Sequence, residues 1–378
     1  MPYIIDAHLD LAYNALSFQR NYLLPAVETR RMEKDTLTPQ RNGHTLLGWA
    51  DMQRGQVALV YGTLFLTPRR YAKKWETMAY NDPAQARVLY EKQVSYYRRL
   101  TDEHSDQFRL VLNQVDLRNV MEVWEKEPAY LPAYAPDNGE NEAETRPTGT
   151  HPVGIVMLLE GAEGLRAPEE IEYWWEMGVR VAGPVWAGIQ FCGGTYEPGE
   201  FTRDGLELLE IMGGIGMTLD ISHMNEVSAL QALDRYEGPV VATHANARAL
   251  LKGIEGERHL TDRTIQRLIE RDGVMGIIPF NRMLDEDWRP SDARLPLTRL
   301  VEVIDHICQV TGDARFVGLG TDFDGGFGRE AVPEGLESNA DLGKLGTLLA
   351  ERGYADVDVT AILSGNWLRL MRRVLSNF

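Results

Sequence analysis

Asp6-Ala7-His8-Leu9-Asp10, directly after the apolar run Tyr3-Ile4-Ile5, is the stretch around which the rest of the chain falls into place. If that run is a strand, side chains two apart share a side, so His8 and Asp10 emerge together from its carboxyl end. An imidazole nitrogen and a carboxylate oxygen suit a divalent, zinc-like cation. Two ligands rarely hold a metal, so other strands must supply more.

The 378 residues fit one α/β barrel with insertions, and a single domain spanning 1–378 is expected, with loop insertions near 24–50 and 127–150. An apolar fraction of 44% and a charged fraction of 25% provide a substantial core and exclude global disorder. The net charge of −17 repels phosphate backbones and anionic bilayers, which argues against nucleic-acid and membrane partners. Only Cys192 and Cys308 are present, without zinc-finger spacing, as in a reducing compartment. The first residues lack the basic start and apolar stretch of about 7–15 residues of a secretory signal, and no run of about 20 apolar residues occurs. A cytoplasmic location is expected.

Strand candidates recur along the chain: residues 3–6, Val57–Leu66, Val153–Leu159, Val179–Val185, Met217–Ile221, Val240–Ala242, Val274–Pro279 and Phe316–Gly320. Amphipathic stretches separate them, including Leu11–Leu23, Pro83–Leu100, Val115–Lys126, Pro168–Trp175, Gly205–Met212, Val227–Tyr236, Asp262–Arg271 and Leu297–Thr311. Repeated βα units predict a (β/α)8 barrel, with Arg109–Asn113 as an accessory strand. No Gly-x-Gly-x-x-Gly turn supports the open doubly wound alternative. Pro25–Trp49 reads as a long surface loop, and Glu127–Thr150, rich in Pro, Glu, Asn and Gly, as an exposed excursion.

A barrel puts its chemistry at the carboxyl ends of its strands. There stand Glu160-Gly161, Asp220-Ile221-Ser222-His223, Thr243-His244 and Gly320-Thr321-Asp322-Phe323-Asp324-Gly325. Taken singly, each has an ordinary explanation. Glu160 can be a solvent-facing acid, with Glu163 competing for its role; a strand-end histidine can be structural; Asp322 and Asp324 can form an Asx turn. Their coincidence at strand ends argues for a site. His44, His104, His151, His259 and His306 fall in loops or helical stretches instead. His8, Asp10, Glu160, His223 and His244 are too many for one catalytic zinc with an open position and suit two ions bridged by a carboxylate. Such a pair, about 3.5–4 Å apart, generates a bridging hydroxide near neutral pH and polarises a carbonyl. Asp322 then relays the proton to the leaving amine.

The order His8-x-Asp10, Glu160-Gly161, His223 after Asp-Ile-Ser, His244 before Ala-Asn-Ala-Arg, and Gly-Thr-Asp322-Phe-Asp324-Gly resembles the membrane (renal) dipeptidase family of the amidohydrolase superfamily, nearly end to end. The resemblance implies a distorted (β/α)8 barrel, two zinc ions and hydrolysis of dipeptides, often with tolerance for a D-residue at the carboxyl-terminal position. It assigns one ion to His8 and Asp10, the other to His223 and His244, the bridge to Glu160 and proton transfer to Asp322. It places the grip on the substrate carboxylate at Arg258, suited to that task by its bidentate guanidinium. Asn281 joins Arg258 and Trp186 as a candidate substrate-binding residue, and a homodimer is the family's habit.

One departure concerns Trp186, where members closest to the renal enzyme carry a histidine that helps bind the tetrahedral intermediate. Tryptophan offers only an indole donor, so it either shapes a different pocket or cedes that role to another group. Two rival readings follow: a related amidohydrolase acting on N-acyl amino acids, lactams or lactones, and a metal-bearing barrel that binds a ligand without catalysis.

Overall fold

The computed structural model describes residues 3–127, 129, 150–251 and 258–375. Eight parallel strands make the barrel: β1 (Ile4–Leu9), β2 (Val57–Phe65), β3 (Val153–Glu160), β4 (Val179–Gly183), β5 (Thr218–Asp220), β6 (Val240–Val241), β7 (Met275–Ile277) and β8 (Val317–Leu319). They run in the order β7-β8-β1-β2-β3-β4-β5-β6. Closure comes from a parallel bridge between Ala242 and Met275, where the Val274 carbonyl accepts from Ala242 N (3.0 Å) and the Ala242 carbonyl from Gly276 N (2.8 Å). Every residue of β1 and β3 is buried, and all of β2 but its last. Strands covered on both faces favour continuous apolar runs, which is why β2 and β3 are the plainest in the sequence, whereas β1 buries Asp6 and His8 among its apolar residues. Phe108–Leu110 pairs with the start of β3, alongside the eight.

The helices begin where sequence chemistry starts them. In Pro83–Glu103 the Asp82 carboxylate accepts from Gln85 N at 2.9 Å, with proline in the first turn. The first helix is shorter than its periodicity predicts, Leu11–Phe18, because Gln19 turns into the left-handed region at φ 60°. At Gly320, just past β8, an added Cβ would collide with the Thr243 carbonyl, so only glycine lets these strand ends approach.

The expected surface loop over 25–49 is instead built of the helices Ala26–Glu33 and Thr38–Asn42 and the start of Trp49–Arg54. It is anchored inward by Asp324, fully buried, whose carboxylate accepts from Tyr22 Oη (3.1 Å), Thr45 Oγ1 (2.5 Å) and Leu46 N (2.9 Å) and pairs with Arg20 Nη1 (2.9 Å). Arg20 also reaches Glu33 and the Gly43 carbonyl. The charged residues that make this stretch look like a loop are partly the glue that holds it down. The excursion expected over 127–150 lies almost wholly outside the described residues.

At the amino-terminal end of the barrel the chain finishes in helices Lys344–Arg352, Asp356–Thr360 and Asn366–Val374. Trp367 is fully buried there, its indole donating to the Leu319 carbonyl at 2.9 Å, with its ring 5.7 Å from that of Tyr61. Trp367→Ala removes that plug and should lower the unfolding free energy by about 3–5 kcal/mol in urea titration; a loss below about 1 kcal/mol would show the helix to be a loosely held appendage. Asp324→Ala strands a buried guanidinium and should cost a similar ~3–5 kcal/mol. An unchanged urea midpoint in that variant would mean that Glu33 alone neutralises Arg20.

Candidate metal centre

All the candidate ligands stand at the carboxyl-terminal mouth. His8 is the next-to-last residue of β1 and Asp10 lies just beyond it; Glu160 ends β3; His223 follows β5, His244 follows β6 and Asp322 follows β8. The centre of the cluster is the Glu160 carboxylate. Its Oε2 is 3.1 Å from His8 Nε2, and its Oε1 is 3.0 Å from His223 Nε2 and 3.5 Å from His244 Nε2. The two latter nitrogens are only 2.9 Å apart. Each oxygen thus faces a different set of imidazoles. His8, Glu160 and His244 offer donor atoms all within 4.8 Å of one another.

A second layer of side chains aims these groups. His8 Nδ1 lies 3.3 Å from Thr243 Oγ1, His244 Nδ1 3.0 Å from the same hydroxyl, and His223 Nδ1 2.9 Å from Thr195 Oγ1. With Nδ1 so engaged, each ring turns Nε2 to the centre. Asp220 holds the Thr243 hydroxyl (2.5 Å) and the main-chain nitrogens of Thr243 and Ser222 (2.9 Å each), while the Thr63 hydroxyl donates to Asp10. Asp6 accepts from Thr321 N (2.8 Å) and Oγ1 (2.6 Å), fixing the turn that carries Asp322. His223, Asp322 and Asp324 all adopt left-handed backbone, with φ of 68°, 55° and 68°. Such strain in non-glycine residues persists only where the surroundings impose it.

The electrostatics ask for a cation. Burial opposes protonation of His8, but the Glu160, Asp322 and Asp10 carboxylates outweigh it and push the imidazole up to about 9. Burial pushes His223 down to about 4, with Arg258 adding to the effect, and holds His244 well below its usual range. Glu160, despite its burial, is held well below the carboxylate range by His8 and the hydrogen bonds of the three imidazoles. Asp10 is raised to about 7 by burial and by Glu160. Burial drives Asp322 well above the ordinary range, opposed by His8 and reinforced by Asp10 and Glu160. Two buried acids, Asp10 and Glu160, with three imidazoles form a donor set that divalent zinc satisfies in charge and in ligand type.

Asp322 and Asp324, two residues apart, have opposite duties: Asp322 Oδ1 points inward, 3.8 Å from His8 Nε2, whereas Asp324 points away into the 20–46 segment. Glu163 does not compete with Glu160. Its carboxylate accepts instead from Trp186 N (2.8 Å), Ala187 N (2.8 Å) and Gly188 N (2.7 Å). Arg258 is buried, with Nη2 donating to the His244 carbonyl at 2.9 Å and Nε and Nη1 lacking partners among the described residues. Trp186 flanks the cluster, its ring 6.1 Å from that of His223. Asn281 is less clearly connected: its Nδ2 donates to the Val332 carbonyl (3.2 Å), and no hydrogen bond joins it to the other candidates. Of the remaining histidines, His44 pairs with Glu330 and His306 with Asp262, whereas His259, buried beside Arg258, lies near enough to His223 to feel its charge.

Sequence reasoning missed the supporting residues Asp6, Thr63, Thr195, Asp220 and Thr243. Asp6, Asp220 and Thr243 each sit within three residues of a ligand, a proximity that could have marked them. Thr63 and Thr195 arrive from elsewhere in the chain and carry no such signal.

The sequence matches the family Membrane dipeptidase (Peptidase family M19) over residues 2–377. An uncharacterized protein of Klebsiella pneumoniae from the pqqA 5' region is 32% identical over 59% of this chain and 82% of its own length. An uncharacterized dipeptidase of Schizosaccharomyces pombe is 29% identical over 57% of this chain and 53% of its own, and Dipeptidase 3 of Rattus norvegicus 28% over 46% and 33%. The chain therefore spans only a third to about half of those two relatives. Among solved structures, a metallo peptidase from Rhodobacter sphaeroides, liganded with a phosphinate mimic of the dipeptide L-Ala-D-Ala, superposes with a TM-score of 0.76 at 21% identity over 99% of both chains. The probable dipeptidase PvdM from Pseudomonas aeruginosa gives 0.74 at 18% identity, over 99% of this chain and 95% of its own. A match that runs nearly end to end makes this chain a member of the membrane dipeptidase family of metallopeptidases.

Proposed function

We propose that this chain is a binuclear zinc dipeptidase. The observation that carries the proposal is Glu160, whose two oxygens face His8 on one side and the His223–His244 pair on the other. In this reading His8 and Asp10 hold one ion, His223 and His244 the second, and Glu160 lies between them. When bound, the zinc ions supply Lewis acidity, lowering the pKa of water and polarising the scissile carbonyl. The residues of the chain do the rest. Arg258, whose Nε and Nη1 lack partners among the described residues, supplies the cation and the N–H donors for the substrate's free carboxylate, which selects short, free-ended peptides. Asp322, as the carboxylate with Oδ1 turned toward the cluster, takes up the proton that the attacking water loses and returns it to the leaving amine nitrogen. Acceptance of a D-residue at the carboxyl-terminal position belongs to the same proposal, in keeping with the L-Ala-D-Ala mimic bound by the Rhodobacter sphaeroides relative.

A cytoplasmic location agrees with two cysteines that are both free and with the absence, among the described residues, of any helix long and apolar enough to cross a membrane. A homodimer remains part of the proposal. Trp186 beside His223 favours a second reading in which the acyl portion is not an amino acid, and the same site then cleaves N-acyl amino acids, lactams or lactones.

Elemental analysis of zinc-saturated protein should give two ions per chain, and a value near one would refute the bridge. Glu160→Gln should abolish metal occupancy and turnover together, so full activity in that variant would refute the assignment. Asp322→Asn should keep its metal while losing about 10²–10⁴ in kcat on L,L- and L,D-dipeptides. A loss under about tenfold would assign the proton to another group. Faster hydrolysis of acylated amino acids than of any dipeptide would favour the second reading.

A further inference from the structure

Four aromatic rings at the mouth are left without work by the metal chemistry. Phe65 ends β2 and is the ladder partner of Glu160, so its ring begins beside the bridging carboxylate. Trp186 packs edge-on against it at 5.3 Å and reaches 6.1 Å from the His223 ring on its other side. Tyr196 lies 5.2 Å from Trp186, and Tyr71 stacks on Tyr196 at 4.9 Å. Phe65, Tyr71 and Trp186 are half-buried and Tyr196 is 54% exposed, so the row keeps apolar surface open to the mouth.

The row is also braced. Glu163 takes all three main-chain N–H groups of Trp186, Ala187 and Gly188, a carboxylate spent wholly on holding that loop. Arg70 donates to the Gly188 carbonyl (2.8 Å) and to Glu197 (2.8 Å), which also accepts from Tyr71 Oη (2.5 Å). Thr195, next to Tyr196, is tied to His223 Nδ1 at 2.9 Å. Rings fixed in this way lose little entropy when a ligand packs on them.

We propose that Phe65, Tyr71, Trp186 and Tyr196 form a recognition wall that selects dipeptides carrying a bulky, planar apolar side chain. The proposal rests on the dipeptidase reading and adds the substrate class to it. A side chain of the substrate is the fitting occupant because the wall is continuous with the metal cluster through Phe65 and Trp186. A stable protein partner would need roughly 800 Å² on each side, whereas four partly covered rings match the surface of one aromatic side chain.

The test uses the zinc-loaded full chain and two phosphinate dipeptide mimics of one backbone, with benzyl or with methyl side chains, titrated by calorimetry. One methylene in an apolar pocket discriminates by about tenfold or more, so the benzyl mimic should bind at least ~10-fold more tightly. Trp186→Ala and Tyr196→Ala, the second at an exposed position that the fold does not need, should each bring that ratio toward one. The ratio of kcat/KM for Phe-containing against Ala-containing dipeptides should move in parallel. Equal binding of the two mimics to the unaltered protein, or a ratio indifferent to both substitutions, overturns the wall. If neither mimic binds, the dipeptidase reading has failed and the wall falls with it, a result distinct from equal binding.

Discussion

One buried carboxylate carries the arrangement. Glu160 is buried at the barrel mouth, and its charge persists there because three imidazoles surround it. An isolated carboxylate in that position would take up a proton. The His223 and His244 imidazoles in turn can crowd one another, with their Nε2 atoms at 2.9 Å, because burial keeps both rings uncharged and the Glu160 carboxylate stands within reach of each. Take Glu160 away and the cluster becomes a set of buried nitrogens with no reason to converge. This mutual dependence links Glu160 to a strand 152 residues earlier in the sequence and to two later ones, and it makes the barrel mouth a single electrostatic object.

The scaffold that holds the cluster is made of polar groups one step further out. Asp6 pins the β8 turn to β1, and Asp220 pins the end of β6 to β5, each through main-chain nitrogen and a threonine hydroxyl. These are buried acids paired with neutral donors, so they fix position without cancelling the charge of the site. Asp324 anchors the 20–46 segment as well, but through an ion pair with Arg20 in addition to neutral donors. The left-handed backbone at His223, Asp322 and Asp324 is the cost of these anchors, concentrated where direction of the side chain matters most.

Much of this was legible in the sequence, for a physical reason. A buried parallel strand is an apolar run, and a functional side chain at its end interrupts that run, so Leu158-Leu159-Glu160-Gly161 announces both strand and site. The 26–54 segment was not legible, because its buried contacts are made by Arg20, Thr45 and main-chain groups on Asp324, and hydropathy does not register an ion pair as core. Thr63 and Thr195 were hidden by their distance in sequence from Asp10 and His223. Glu160 and Glu163 were distinguishable only in three dimensions, since the short helical turn Ala162–Gly164 swings the second acid toward the β4 loop.

That swing bears on how the site is specialised. In a barrel, the strand ends supply fixed chemistry and the loops supply variable surface. Here the division runs through four residues: Glu160 belongs to the strand and to the imidazole cluster, whereas Glu163 belongs to the loop and to Trp186. A tryptophan three residues past β4 would, if free to move, be a poor element of recognition, because ordering it would consume what its contact contributes. Three N–H donors converging on one buried carboxylate remove that freedom before any ligand arrives. Glu163 and Glu197 brace the aromatic row while Asp6 and Asp220 brace the imidazole cluster. Thr195 touches both, its N–H on the Trp186 carbonyl (3.3 Å) and its hydroxyl 2.9 Å from His223 Nδ1, so a change of side chain at position 186 leaves that main-chain tie in place.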